Sequence, residues 1–155
     1  MTFDLGQLDD FARSVAQALF ATYPDWVNFA RMELAEDGEK PDLVVEVPSP
    51  RSGQPGEQLG VYTEDSEVTI SFASYHEHFD WPPTDTDRSM NPLTFIAAIL
   101  NEDVAAVSGW NDDKWCGSWL IEKGEAIAQP KNMNPMKLIR VRSWKGTLDQ
   151  DLRPI

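Results

Sequence analysis

The sequence predicts an α+β protein with a single curved, mainly antiparallel sheet of about six to seven strands and two helices packed on one face. Three features lead to this prediction: an amphipathic helical pattern near the amino end, several short apolar runs with a period of two, and a second helical segment in the middle. Short connections between successive strands favour antiparallel pairing. With 155 residues, 41% of them apolar, the chain is long enough for one domain, 1–155, with its own core.

The first predicted element is a helix over residues 4–22. Polar residues such as Asp9, Arg13 and Gln17 fall on the side opposite to the apolar ones. Thr2 or Asp4 is expected to cap its amino end, and Pro24 to end it. The buried stripe is formed by residues three or four positions apart: Leu5, Leu8, Phe11, Ala12, Val15, Ala18 and Leu19.

After this helix, the sequence pattern changes to short runs in which apolar and polar residues alternate. We expect strands over 26–34 and 43–47, followed by a hairpin of 59–63 and 68–74. Val68, Ile70 and Phe72 give the clearest alternation of this part. The intervening segments are rich in Pro, Gly and charged residues and are expected to be loops: 35–41, 48–57 and 81–89.

A second helix is expected to begin at Asn91-Pro92, with Asn as the N-cap and Pro at the first helical position. Residues 104–110 and 115–121 then form a second predicted hairpin, and 137–144 a last strand. The predicted order is therefore helix, four strands, helix, three strands.

The charge of the chain excludes some classes of partner. Twenty-six acids against thirteen Lys and Arg give a net charge of −13, of which residues 1–79 carry −11 and residues 80–155 carry −2. Such a field repels phosphate backbones and anionic lipids and attracts basic proteins. We therefore expect no nucleic-acid and no membrane partner. The alternative explanation of the acidity is plain solubility.

Several features predict a cytoplasmic location. The start of the chain lacks the basic and apolar regions of a secretory signal, and no run of about 18 apolar residues is present. The single cysteine, Cys116, has no partner for an internal disulfide.

His76 and His78 are the only histidines, and on a strand they point the same way, with Asp80 next in the row. A metal site needs three or four ligands, and only Cys116 remains to complete one. We therefore predict no metal and no cofactor, and expect both histidines at the edge of the core with a structural role.

No catalytic motif is found, so the sequence does not predict an enzyme. Cys116 lies in an apparent strand between tryptophans and is expected to be a buried, inert thiol. No phosphate-binding or dinucleotide-binding glycine pattern is present. Trp115, Gly117, Trp119 and Ile121 are expected to share one strand face, as core or as an aromatic platform.

Three segments, VTISFASYHEHFDWP (68–82), VSGWNDDKWCGSWL (107–120) and IRVRSWKG (139–146), resemble small bacterial immunity-type proteins of polymorphic or contact-dependent toxin systems. The resemblance covers about the last half of the chain. It implies a cytoplasmic antitoxin that neutralises a cognate toxin, without identifying the toxin. The acidity of the chain would suit a basic toxin such as a nuclease domain, whose phosphate-binding surface an acidic patch can cover.

Loops carry recognition, so acidic loop tips with an aromatic anchor are the predicted toxin-binding residues. They are Glu36, Asp37, Glu39, Glu64, Asp65, Trp110, Asp112 and Asp113. The alternative hypothesis is a small enzyme or ligand-binding domain in which His76 and His78 line a pocket. A third is a housekeeping protein whose acidity serves solubility.

Overall fold

The computed structural model describes residues 3–34, 40–51, 57–125, 127 and 136–153. The chain divides into two compact units, and each is described by itself. The first unit holds the described residues up to 48 together with 58–71 and 76–96. The second holds 49–57, 72–75 and the residues from 97 onward, as far as they are described.

The described residues form two α-helices, two 3₁₀-helices and nine strands. The α-helices are α1 (Asp10–Thr22) and α2 (Pro92–Leu100), and the 3₁₀-helices are Leu5–Gln7 and Pro24–Phe29. The strands are β1 (Ala30–Leu34), β2 (Pro41–Val47), β3 (Leu59–Glu64), β4 (Glu67–Phe72), β5 (Tyr75–Asp80), β6 (Val104–Asn111), β7 (Lys114–Glu122), β8 (Leu138–Arg142) and β9 (Gln150–Leu152).

The α+β class is confirmed, but the predicted single sheet is wrong. The strands form two antiparallel sheets, one in the order β1-β2-β3-β4-β5 and the other in the order β7-β6-β8-β9. Periodicity shows where strands lie but not which strands are neighbours. The chain leaves β5 through a long connection that contains α2, so β6 begins a new sheet instead of extending the first one.

The first unit buries one face of its sheet. Leu43, Val45 and Val47 of β2 are at most 6% exposed, and the inward residues of β3 and β4 are equally buried. In a strand, successive side chains point to opposite faces, so burial of these residues turns every second residue outward. Helix α1 contacts β2 and buries Ala12, Val15, Ala16 and Leu19.

Two predicted boundaries near the amino end are wrong. Helix α1 begins at Asp10 because Asp9 caps it by accepting a hydrogen bond from the Ala12 amide at 2.7 Å. Asp4 caps the preceding 3₁₀-helix instead. The predicted strand over 26–34 begins only at Ala30, since Pro24 starts a 3₁₀-helix that carries Trp26 into the core.

The predicted strand over 68–74 ends at Phe72. Ala73 has a φ of 53°, in the left-handed region that makes a turn, and the chain reverses into β5. This extra strand was not predicted. Asn91 caps α2 as expected, its side-chain oxygen accepting from the amides of Leu93 at 3.0 Å and Thr94 at 3.3 Å.

The second unit is built on the predicted 104–121 hairpin. Its core comprises Ala105, Val107, Ile121, Ile139 and Val141. Trp110 pairs with Trp115 and Gly109 with Gly117, so Cys116 is an extra residue that interrupts the register. The predicted last strand is shorter than expected, and it pairs with the unpredicted β9.

Glu102 joins the end of α2 to the segment that follows β8. It is 8% exposed and has a φ of 57°, a position at a helix end that glycine usually occupies. Its carboxylate accepts hydrogen bonds from the amides of Lys145 at 3.1 Å and Thr147 at 3.2 Å. Burial raises the pKa of this carboxyl, but the hydrogen bonds from Ser143, Thr147 and Lys145 outweigh it, and the net pKa is lowered.

Glu102→Gln should therefore reduce the free energy of unfolding by about 2 kcal/mol at neutral pH, because the hydrogen bonds from the two backbone amides lose their charged acceptor. A carboxyl whose pKa is lowered in the folded state stabilises the fold above its ordinary value of 4.5, and this stabilisation is lost as the pH falls through the folded value. Urea unfolding at pH 7 and pH 3 measures both effects. A deficit that is undiminished at pH 3 would contradict the assignment.

Candidate binding surface

The outward face of the five-stranded sheet carries most of the charge that the first unit presents on its strands. We call this surface the acidic face. It holds six carboxylates and one arginine, a net charge of −5 with both histidines neutral. Its residues are Arg31, Glu33, Asp42, Val44, Glu46, Gly60, Tyr62, Glu64, Glu67, Thr69, Ser71, His76, His78 and Asp80.

The strand register brings the residues of the acidic face together. Arg31 pairs with Val44 and Glu33 with Asp42, while Val44 also pairs with Tyr62. Side-chain contacts continue the row, since Thr69 Oγ1 lies 2.8 Å from His78 Nδ1. All these residues belong to the first unit.

Tyr62 lies across the centre of this face. Its hydroxyl donates a hydrogen bond to Glu46 Oε2 at 3.2 Å, and burial raises the pKa of the phenol. Gly60 makes this position available, because a Cβ there would clash with the Tyr62 ring and would lie 2.6 Å from Ser71 Oγ. The tyrosine thus supplies a half-buried ring among carboxylates, a side chain that suits protein interfaces.

Arg31 is the single arginine of the acidic face, and its charge is already engaged. The guanidinium pairs with Glu46 and with Glu33, and hydrogen bonds to these two carboxylates raise its pKa. Glu46 also accepts a hydrogen bond from the Gln58 amide. The carboxylates of the other strands, by contrast, face the solvent: Glu64, Glu67 and Asp80 are all exposed.

The histidines do not lie at the edge of the core as predicted. Both are exposed on the acidic face, with ring centroids 5.1 Å apart, because the turn at Ala73 puts them on a strand of their own and out of the Ile70 and Phe72 row. His78 Nδ1 lies 3.6 Å from Glu67 Oε2.

The two histidines line an open depression of about 350 Å³. Its other polar lining residues are Glu33, Asp42, Tyr62, Thr63, Glu64 and Thr69. Within the described ranges, no group of three or more His, Cys, Asp or Glu side chains has a geometry that holds a metal ion. The same part of the chain contains no helix long and apolar enough to cross a membrane.

The structure describes five of the eight predicted toxin-binding residues. Glu36, Asp37 and Glu39 lie outside the described residues. Glu64 and Asp65 lie at the β3–β4 turn, where Glu64 joins the acidic face. The other predicted residues belong to the second unit, at the β6–β7 turn: Trp110, Asp112 and Asp113.

The tryptophans of the β6–β7 hairpin do not share one face, contrary to the prediction. The bulge at Cys116 reverses the alternation, and the Trp115 indole donates to Ser118 Oγ at 2.8 Å. Trp115 is 51% exposed and Trp119 is 37% exposed. Trp110, the predicted anchor, is partly exposed, and its indole donates to Ser108 Oγ at 2.8 Å.

Most carboxylates of the acidic face were not predicted as binding residues, because the prediction placed the binding residues in loops. Asp42, Glu46, Glu67 and Asp80 lie within strands. Each of the first three is followed by a buried apolar residue, and the period-two pattern of these strands was available in the sequence.

The expectation of a buried thiol at Cys116 is wrong, because the bulge turns this residue into an exposed position. We predict that Cys116 reacts with a thiol reagent in the native protein at a rate within about tenfold of the unfolded chain, since exposure controls access. Labelling with and without denaturant measures this ratio. A native rate that is limited by unfolding would contradict the exposed position.

Comparisons with protein-family models, with curated proteins and with solved structures find no match to this chain.

Proposed function

We propose that this protein is a cytoplasmic immunity protein that binds a basic toxin domain through the acidic face and blocks it without catalysis. The observation that supports this proposal best is the charge of one exposed sheet surface, six carboxylates against one arginine that is already paired. Such a surface attracts a basic partner over a distance of several ångströms and speeds its association.

The acidic face is complementary in charge to a protein surface that binds phosphate. A nuclease or another phosphate-binding toxin presents Lys and Arg side chains, and carboxylates on a firm sheet can take the place of the phosphates. Tyr62 adds an aromatic ring at the centre. The sequence resemblance to immunity-type proteins supports a toxin as the partner, and the acidity of the chain supports a basic toxin. The acidic face is the kind of surface that could cover such a toxin.

A second candidate is a small ligand-binding or catalytic site at the histidine depression. It is favoured by one observation: His76, His78 and Tyr62 line the same 350 Å³ depression as three carboxylates. These groups would suit a small cationic ligand. The depression is part of the acidic face, so a toxin side chain such as Lys or Arg would fit there equally well.

The immunity proposal predicts rescue of a poisoned cell. The chain is co-expressed in a bacterial host with candidate toxin domains taken from the genes that neighbour its own, and we expect growth to be restored with one of them. A double charge reversal on the acidic face, Glu64→Lys with Asp80→Lys, should slow association by about tenfold at low salt and weaken rescue, because steering depends on surface charge.

The matched control is Asp25→Lys with Glu125→Lys, which changes the net charge equally at exposed positions outside the acidic face. Association rates are measured by stopped flow at about 0.01 M and 0.15 M salt, where the Debye length falls from about 30 Å to about 8 Å. Equal slowing by both variants would make the acidity a general solubility feature. Failure to restore growth would overturn the immunity proposal.

A further inference from the structure

Strand β1 lies at one edge of the five-stranded sheet, and its apolar side chains are not covered. In the part of the chain that the structure describes, β1 pairs with β2 alone. None of its five residues is buried, and Leu34, at 79%, is the most exposed large apolar side chain among the described residues. The strand has no proline, and its register with β2 is unbroken. Another strand can add to an edge of this kind.

The apolar residues of β1 all lie on the core side of the sheet. Ala30 pairs with Val45 and Met32 with Leu43, and both partners are completely buried. Since every second residue of a strand points to the same face, Leu34 lies on this side too. The apolar layer of the first unit therefore continues to the edge of the sheet.

An open groove of about 730 Å³ lies beside β1. Its apolar lining residues are Phe3, Val27, Ala30 and Met32. Leu34 lies at the opposite end of the strand from Ala30. An antiparallel copy of β1 would therefore bring its own Leu34 beside Ala30 and this groove.

The outward residues of β1 determine which register such a pairing can adopt. The side chains of Arg31 and Glu33 are 52% and 58% exposed. Of the antiparallel registers centred on residue 31, 32 or 33, only the one centred on Met32 places Arg31 opposite Glu33 of the copy. The other two place two arginines or two glutamates directly opposite each other, which is unfavourable. The strand is thus complementary in charge to itself.

We propose that two copies of this protein associate by antiparallel pairing of β1 with β1, around a two-fold axis at Met32. Leu34 of each copy enters the groove beside Ala30 of the other, and each Arg31 faces a Glu33 across the axis. Both copies use the same surface, so the contact closes as a dimer and does not continue into a fibre. This inference does not rest on the proposed function.

Two features keep the expected association weak. Each copy contributes a strand of only five residues, and each carries a net charge of −13, so the copies repel each other. We expect a Kd on the order of 10–100 µM, at the weak end of specific interfaces. The affinity should rise with salt, because screening reduces the repulsion between the copies.

The first experiment is sedimentation velocity of the whole chain, with a thiol reductant, at concentrations tenfold below and tenfold above this range. Leu34→Ser should raise the Kd at least about tenfold, because each copy loses a buried leucine in the dimer and an exposed one in the monomer. The matched control is Met90→Ser. Met90 is 50% exposed and lies beside β5, at the other edge of the same sheet, so its replacement should leave the Kd unchanged.

The second experiment tests the register with Arg31→Glu and Glu33→Arg. Each variant alone places like charges opposite each other, and its self-association should be at least several-fold weaker than that of the wild-type protein. When the two variants are mixed, opposite charges face each other at both positions. We therefore expect a heterodimer with a Kd no weaker than that of the wild-type dimer.

A wild-type protein that stays monomeric over the whole concentration range overturns the proposal, even if a variant fails to fold. So does a dimer that Leu34→Ser leaves unchanged, or a mixture of the two charge variants that forms no heterodimer. Species larger than a dimer would contradict the two-fold closure. None of these results depends on the toxin rescue, so the two proposals fail separately.

Discussion

The alternation of side chains along a strand is the constraint on which the candidate surface depends. In the core of the first unit, Leu43, Val45 and Val47 of β2 point inward. Since successive side chains of a strand point to opposite faces, Asp42 and Glu46 lie on the outer face. The same rule acts on every strand from β1 to β5. A shift of the strand register by one residue would bury the carboxylates and expose the apolar core residues. The free-energy cost of that shift therefore fixes the register.

A sheet face with this charge works against the stability of the free protein. Carboxylates on neighbouring strands repel one another, and an arginine that bridges Glu33 and Glu46 relieves the repulsion only at the β1–β2 side. The strands β3 to β5 keep their exposed acids, with two histidines between them. A basic partner would remove this repulsion on binding, so an unfavourable term of the free protein would become a favourable term of the complex.

Much of the fold was predictable because its signals are local. The Asn91 cap and the two hairpins follow from short patterns that tertiary contacts did not override. The predictions were wrong where a single residue changed the direction or the register of the backbone. Ala73 adopts a left-handed backbone conformation although it is not a glycine, so the sequence gives no signal of this turn. The extra residue Cys116 reverses the face of β7 on which the residues before it lie. The site was predicted at turns, whereas the order and register of the strands were needed to recognise that Asp42 and Asp80 lie on the same surface.

Arg140 shows why charge counting alone was insufficient. Its alternation with Ile139 and Val141 is visible in the sequence, but alternation predicts only that it faces away from the core. In the structure, Asp151, which lies opposite Arg140 in the sheet, accepts a hydrogen bond from Arg142, and the Arg140 guanidinium lies over the Trp110 indole ring. Charge on a protein surface acts mainly on the rate at which a partner associates, whereas the contacts at the centre of an interface determine how long the partner stays bound.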